Sequence, residues 1–402
     1  MLLRADFTHN LRVRKQAQSL AAAGWDVTVI ALALGGQQAG PEIDPDGFTL
    51  WRVQDSLFAS GRSRAATAAG GPASRNAPGK RRNGAVNLAR LVLNRLVVML
   101  RMVRVVRRVR PDVVESHNVN TLPAGYVGAR VTGAALAYDA HEINIEREGY
   151  YAKIRPLIYR VEKFAVPRAA LVMSTTDLRS EHYQRTYRLR SKPLVIQNKP
   201  RYSAEERNDY LHEACNIPAD QRVVLYQGGL QEGRGLHNLV RVAAKVRGAT
   251  FVFLGNGAQE SSLRELARSL RVENVCFHAA VPLESLPSVT ASADIGVQVL
   301  RNTCLNHYTT DSNKIFEYAM GGLAVVASDF PEIRRIIEAH DYGLLVDPDS
   351  VEDIAAAVQR LVDDDALRGR LQANARNSRR ALSWESQEEA YLSAMTRTLE
   401  GA

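Results

Sequence analysis

Asp311 to Glu332 reads DSNKIFEYAMGGLAVVASDFPE, and this stretch decides the fold. Asp311 and Ser312 carry side-chain oxygens that can accept from the open amides of a first helical turn, so a helix is predicted from about Asn313. Ile315, Phe316 and Ala319 fall at i, i+1 and i+4 and face inward, and Gly321-Gly322 ends the helix. The apolar run Leu323 to Ala327 then predicts a buried parallel strand. The start of such a helix offers unpaired amides and partial positive charge to an anion. Lys314 and Glu317 stand in its first turns, placed to share one chemical task. A capped amphipathic helix that binds nothing is the plainer alternative.

Upstream, Arg222 to Tyr226 reads as a strand and is followed by QGGLQEGRGLHNLV. Gly228, Gly229, Gly233 and Gly235 permit close backbone approach, and Arg234 stands where a helix is about to begin, so amides and a guanidinium can hold a pyrophosphate there. The spacing is not that of a P-loop. Further strands are predicted at Phe251 to Leu254, Asn274 to His278, Ile295 to Leu300 and Gly343 to Val346. Their alternation with helices predicts a doubly wound parallel sheet. Asp363-Asp364-Asp365 has the look of a metal-binding DxD, but it lies between two helical segments and reads as a capping turn.

The amino-terminal half repeats the alternation. A helix from about Leu11 to Ala23 and a strand Trp25 to Ala33 follow a very short first strand around Leu2-Leu3, which is either stunted or the sign of a start codon placed late. His9 and Asn10 sit in the turn after that strand, where open α/β sheets bind ligands, although polar turn chemistry alone accounts for them. Ser56 to Gly84 has no periodic apolar face and reads as a mobile loop. Asn87 to Arg110 is an amphipathic helix rich in arginine, with no acid between Asp55 and Asp112. It either covers the sheet with a solvated arginine face, the preferred reading, or contacts an anionic membrane peripherally. Strand-like segments ending in His117 and in Asp139, His141 and Glu142 (YDAHE) place titratable groups at strand carboxyl ends. HEIN lacks the second histidine of a zinc protease.

At 402 residues the chain exceeds one ordinary core and fits two α/β domains, taking about 150 residues as typical. A hydrophobic content of 46% with 24% charged residues excludes general disorder. Cys215, Cys276 and Cys304 are odd in number and lack metal-ligand spacing, which predicts reduced, packed thiols and a cytoplasmic setting. No secretory segment or membrane span is visible. The net charge of +9 favours anionic partners.

The segment NKIFEY…GGLAVVASDFPEI between Asn313 and Ile333 resembles the donor site of the family-four retaining glycosyltransferases of GT-B fold. Nearly the whole chain is similar to that family, most specifically in this segment, in HNVNTLP after Ser116 and in YDAHE. The resemblance implies two Rossmann-like domains facing across a cleft. The acceptor-side domain would span 1–200 and the linker 201–215; the nucleotide-sugar domain would span 216–383, and a helix over 384–402 would cross back. It implies a hexosyltransferase-type enzyme of glycan or natural-product biosynthesis that moves a sugar from a nucleotide-diphosphate donor with retention. The donor is a co-substrate and neither cofactor nor metal is implied. The acceptor, a glycan, a lipid-linked species or a small molecule, stays open, and no nucleic acid is expected.

By the same resemblance Glu317 contacts the ribose and His117 the donor sugar, both counted as catalytic, and Arg234 fills the family's lysine position at the diphosphate. Gly228 and Gly229 are read from the loop itself as diphosphate contacts, and Lys314 as restoring part of the cationic charge missing at Gly229. Thr309, Asp311, Ser312 and Asn313 line the sugar, and His9, Asn10, Asp139, His141 and Glu142 form the acceptor side. The chain departs from the pattern at Thr309, where the family has a glutamate, at Gly229, where it has an arginine, and at Glu115, where it has a histidine. The expected setting is cytoplasmic, with the 87–110 helix as a candidate contact with the inner membrane face. A non-catalytic sugar-nucleotide-binding relative and a GT-B epimerase are the alternatives.

Overall fold

The computed structural model describes residues 1–8, 10–34, 36–55, 84–146 and 154–401, with side chains left out for 84–91. His9 and the predicted mobile loop 56–83 lie outside the described residues. The chain forms two compact units, residues 1–196 with 388–402, and residues 197–387.

In the second unit every strand is parallel. β8 (Arg222–Gln227), β9 (Ala249–Leu254), β10 (Val275–His278), β11 (Ile295–Gln298), β12 (Ala324–Ser328) and β13 (Gly343–Val346) lie in the order β10-β9-β8-β11-β12-β13. Renumbered from its first strand this is 3-2-1-4-5-6, the doubly wound order, whose direction reverses between β8 and β11. Alternate residues of β8 serve opposite faces. Val224 packs with Phe251, Val297 and Val358, while Val223 and Leu225 pack with Val252, Phe316 and Ile333. Both faces are apolar because helices cover both.

In the first unit β1 (Thr28–Ala33) pairs in parallel with β3 (Thr49–Gln54), which also carries the antiparallel edge strand β2 (Gly40–Ile43). A second group, β4 (Val113–His117), β5 (Ala135–Ala140), β6 (Leu171–Ser174) and β7 (Leu194–Val195), is parallel throughout. The short first strand predicted from Leu2-Leu3 joins the two groups. Leu2 bridges Ile30 on one side and Ser116 on the other, with Leu2 N donating to Glu115 O at 2.7 Å and Leu3 N to Ile30 O at 2.9 Å. With that strand counted, this sheet too reverses direction between its first strand and β4.

The arginine-rich helix runs Gly84–Val109. Val98, Met102, Val105 and Val106 are buried, whereas Val92, Leu93, Leu96 and Leu100 stay exposed, so the sheet takes only the carboxyl-terminal part of its apolar face. Asp364 caps the helix Asp365–Ser378 by accepting from Leu367 N at 2.8 Å, as the acidic-turn reading requires. Among the described residues no helix is long and apolar enough to cross a membrane.

The cysteines depart from expectation. Cys215 and Cys276 form a disulfide, and Cys304 is free. The sequence hid this because the two partners stand 61 residues apart with no motif between them. Cys215 follows the short helix Tyr210–Ala214, and Cys276 lies in β10. Closing a loop of that length restricts the unfolded chain by about 2–4 kcal/mol. Denatured without reductant, the protein should therefore take up maleimide at Cys304 alone, and at all three cysteines after reduction; reductant should also lower Tm in differential scanning fluorimetry.

Candidate functional site

In the second unit polar groups gather where β8 and β11 part. The two strands pair only at Ile295 with Val224 and Gly296 with Leu225. Beyond that point the Tyr318 hydroxyl fills the gap, 3.1 Å from the carbonyls of both Leu225 and Val297, and Gln227 N donates to it at 3.3 Å. Gly296 makes room for it, since a Cβ there would sit 2.4 Å from the Tyr318 ring. Tyr318 belongs to the helix Asn313–Gly321, whose neighbouring Glu317 is thereby set beside the end of β8. Gln227 Nε2 donates to Glu317 Oε2 at 2.6 Å, and Thr290 Oγ donates to Gln227 Oε1 at 2.8 Å.

Lys314 comes off the same helix one turn earlier and lies over the glycine-rich loop. A Cβ on Gly228, whose φ is +122°, would meet Lys314 Cε at 3.3 Å and Nζ at 3.5 Å. The ammonium also sits 5.1 Å from the Tyr226 ring centroid. Burial pushes the Lys314 pKa down to about 8; the nearby Arg234 charge adds to this and Glu317 opposes it. The structure thus brings Gly228, Arg234, Lys314 and Glu317 together, with Gly229 next in the loop. Two cations beside one glycine-rich loop make its surroundings electropositive.

The predicted helix cap differs in detail. Ser312 occupies the cap position with φ +52°, and no side chain closes the first turn. Asp311, expected to cap, is buried and accepts instead from Gln197 Nε2 at 3.1 Å. Thr309 is buried too, and its hydroxyl donates to Leu305 O at 2.7 Å inside its own turn. Ser312 N donates to Thr310 Oγ at 3.2 Å, and Asn313 is exposed.

In the first unit the carboxyl ends of β4 and β5 carry a closed cluster. His117 Nδ1, Asp139 Oδ2 and His141 Nε2 lie 3.4 Å from one another. Asp139 is fully buried and is gripped at both oxygens by Arg12, at 2.8 Å each, with Gln16 Nε2 donating at 3.0 Å. Burial alone would raise its pKa; Arg12, His141 and the histidine hydrogen bonds outweigh it and hold the carboxyl well below the usual range. Burial drives His117 down to about 4 and, with Asp139 nearby, drives Glu115 up to about 8. Glu115 Oε1 and His117 Nε2 face each other at 3.8 Å, and neither atom has a hydrogen-bond partner among the described residues.

His117 had been expected to reach out from the strand end. Its side chain is instead sealed inside, and the exposed imidazole of the cluster is His141, 20% accessible. Glu142 follows His141, and its carbonyl is 3.0 Å from the Tyr183 hydroxyl. Asn10 spends its side chain capping the helix Leu11–Ala22 through Val13 N at 3.1 Å, which is the turn chemistry already weighed. Three donor atoms this close have the spacing of a metal site, but Arg12 already covers both Asp139 oxygens and a cation would have to displace it. Sequence reasoning missed Arg12, Gln16, Gln227, Thr290 and the buried Glu162, which accepts from Tyr138, Tyr187 and Asn144 at 2.8, 2.7 and 3.2 Å. Gln227, at the end of the apolar run RVVLY, is signalled by its polarity; the others stand in mixed helical sequence with no such mark.

Residues 8–199 match a model described as a glycosyl transferase 4-like domain, and residues 221–364 one described as glycosyl transferases group 1. The chain is 26% identical over 266 residues to an alpha-D-kanosaminyltransferase of Streptomyces kanamyceticus, covering 62% of this chain and 67% of that one. It is 24% identical to the putative colanic acid biosynthesis glycosyl transferase WcaI of Escherichia coli over 38% of this chain and 38% of that one, and 22% identical to the putative teichuronic acid biosynthesis glycosyltransferase TuaC of Bacillus subtilis over 63% of this chain and 62% of that one. In fold it is similar to sucrose-phosphate synthase from Thermosynechococcus elongatus, with a TM-score of 0.74 at 19% identity over 98% of this chain and 94% of that one. It is likewise similar to HepE of Anabaena in complex with UDP and glucose, with a TM-score of 0.72 at 14% identity over 98% of both chains.

Removing Arg12 leaves a buried carboxylate with its main counter-charge gone. Arg12→Met should cost about 3–5 kcal/mol in urea unfolding at neutral pH. Because Asp139 is held below its unfolded pKa of about 3.9, the stability it contributes is present above that pH and is lost as pH falls through the folded value. The Arg12→Met penalty should therefore shrink in acid.

Proposed function

For a chain that belongs to the glycosyltransferases of GT-B fold, we propose hexosyl transfer from a nucleoside-diphosphate sugar to a hydroxyl acceptor with retention of anomeric configuration. The observation that carries it is Lys314 lying over Gly228, with Arg234 of the same glycine-rich loop close enough to depress the Lys314 pKa, where the second sheet reverses direction. In the reaction the bond from the anomeric carbon to the diphosphate oxygen breaks and its electron pair stays on the diphosphate. The acceptor oxygen bonds to that carbon from the same face, and its proton passes to the departing diphosphate. The charge that develops on the leaving group is what the two cations stabilise. Glu317 accepts from the ribose hydroxyls, and the first-turn residues Ser312 and Asn313 serve the sugar, Asn313 through its amide. Asp139, His141 and Glu142 form the acceptor side, with His117 as the buried support of His141. No metal is required, since Lys314 and Arg234 take the part a divalent cation plays elsewhere.

The HepE neighbour carries UDP, so UDP and GDP are the first ligands to titrate. Lys314 is charged below its pKa of about 8 and loses that charge as pH rises through it. The diphosphate is already fully ionised above about pH 7. Calorimetry should show affinity falling above about pH 8, with or without EDTA; Lys314→Met should bind about tenfold more weakly at neutral pH and lose that dependence. With the matching UDP- or GDP-sugar alone, slow hydrolysis should release sugar in the donor's own anomeric form, read by proton NMR. Isomerised donor would favour the epimerase, and binding without turnover the non-catalytic relative.

A second element of the proposal concerns the acceptor. A cavity of about 490 Å³ opens between the arginine-rich helix and the helix Arg155–Ala165, lined by Val92, Leu96, Met99, Met102, Leu157 and Ile158. Val92, Leu96 and Leu157 are exposed, Arg4 and Arg95 line the same cavity, and Arg104, Arg107 and Arg108 are exposed further along the helix; on this proposal the face meets an anionic lipid surface that carries a lipid-linked acceptor. The protein should float with vesicles containing anionic phospholipid at low salt and remain behind with neutral ones. Failure to float with either would remove the membrane contact and leave glycosyl transfer standing.

A further inference from the structure

Glu317 does not stand alone. Gln227, at the last position of β8, is buried and has every polar side-chain atom engaged. Its Nε2 donates to Glu317 Oε2 at 2.6 Å, and its Oε1 accepts from Thr290 Oγ at 2.8 Å. Thr290 is buried as well, in the helix Leu286–Ala291, and shares its proton with Leu286 O at 2.7 Å. The amide can point only one way, because turning it over would set its oxygen against the carboxylate. Gln227 N donates to Tyr318 OH, so main chain and side chain of one residue hold two successive residues of the Glu317 helix.

From this geometry we infer that Gln227, held by Thr290, is the positioning residue that fixes the Glu317 carboxylate to read the ribose diol of the nucleotide, and so sets the preference for ribonucleotide over deoxyribonucleotide. The inference rests on the reading of Glu317 as the ribose contact. One Oε2 lone pair is taken by the amide, which fixes the plane of the carboxylate. The remaining lone pairs then point in set directions, and two hydroxyls on adjacent carbons can both donate to them. A carboxylate free to turn about its last bond would have to be ordered at each binding event, and the diol would lose much of its advantage. The site discriminates because it is built before the ligand arrives.

The test uses the full-length protein and four ligands: UDP, GDP and their 2′-deoxy counterparts. Wild type should bind the ribo form of its preferred base at least about tenfold more tightly than the deoxy form, as a hydrogen bond to a charged group implies. Glu317→Ala should bring that ratio close to one. Gln227→Leu should reduce it to about threefold or less while binding the deoxy form within about threefold of wild type, since diphosphate and base contacts are untouched. A merely structural role would weaken both forms together and leave the ratio alone. Should Gln227→Leu fail to fold, Thr290→Val removes the group that orients the amide and should lower the ratio in the same direction. A ratio lost in Glu317→Ala but kept in the Gln227 and Thr290 variants overturns this inference and leaves the ribose reading intact. A wild-type ratio near one overturns the ribose reading, and the inference with it.

Discussion

A parallel sheet covered by helices on both faces gives its side chains no polar direction except past the ends of the strands. Both sheets of this protein obey that constraint. Their strand interiors are mostly apolar, Glu115 and Ser116 of β4 being buried exceptions, and most chemistry-bearing residues collect where strands stop: Gln227 ends β8, His117 ends β4, and Asp139 stands one residue before the end of β5. The reversal of strand order supplies the opening. Where β8 and β11 separate, the backbone groups that a neighbouring strand would have paired need another partner, and Tyr318 supplies a hydroxyl. The residue that plugs the seam therefore fixes the helix that carries Glu317 and Lys314, so folding and site construction are a single event there.

Polar groups that remain inside must be matched, and the first unit matches three of its buried acids differently. Asp139 is kept charged by Arg12, which spans both oxygens in a bidentate geometry. Glu162 receives neutral donors, the hydroxyls of Tyr138, Tyr183 and Tyr187, and burial raises its pKa against them. The first arrangement fixes an electrostatic field beneath His141. The second is mechanical, because Tyr183 also reaches the Glu142 carbonyl and ties the loop after β5 to the layer below. Glu115 is the third case: its hydroxyl partner Tyr391 comes from the carboxyl-terminal helix Glu385–Glu400, so the last helix of the chain joins the same network.

Legibility in the sequence followed the range of the physics. Periodicity acts over a few residues, and it located Ile315, Phe316 and Ala319 on the inward face and the apolar run that became β12. Capping is equally local, yet the cap assigned to Asp311 and Ser312 went wrong because a positive φ at Ser312 and a bond from Gln197, 114 residues away, decide where those side chains point. The disulfide and the Arg12–Asp139 pair are set by tertiary closure across 61 and 127 residues, and nothing in a local window encodes them. His117 was correctly placed at a strand end; its direction was not, since the inward turn depends on Asp139, Glu115 and His141 closing around it.

The departures from the family pattern fall unevenly, and on the proposed function the unevenness carries meaning. Thr309 replaces the expected glutamate, is buried, and donates its hydroxyl within its own turn. Asp311 is likewise committed to Gln197. The residues assigned to ribose and diphosphate keep their supports: Glu317 has Gln227, and Lys314 lies over the loop that has lost an arginine. A chain under no demand to bind nucleotide would have no reason to hold a half-exposed carboxylate in place with two buried side chains, since Gln227 and Thr290 could be replaced by apolar residues of like size at little cost to the core. Recognition on this reading is divided, with the nucleotide end built rigidly from side chains and the sugar end left to the backbone of the turn before Asn313. Such a backbone surface can follow the hydroxyl pattern of a different hexose without loss of the diphosphate grip.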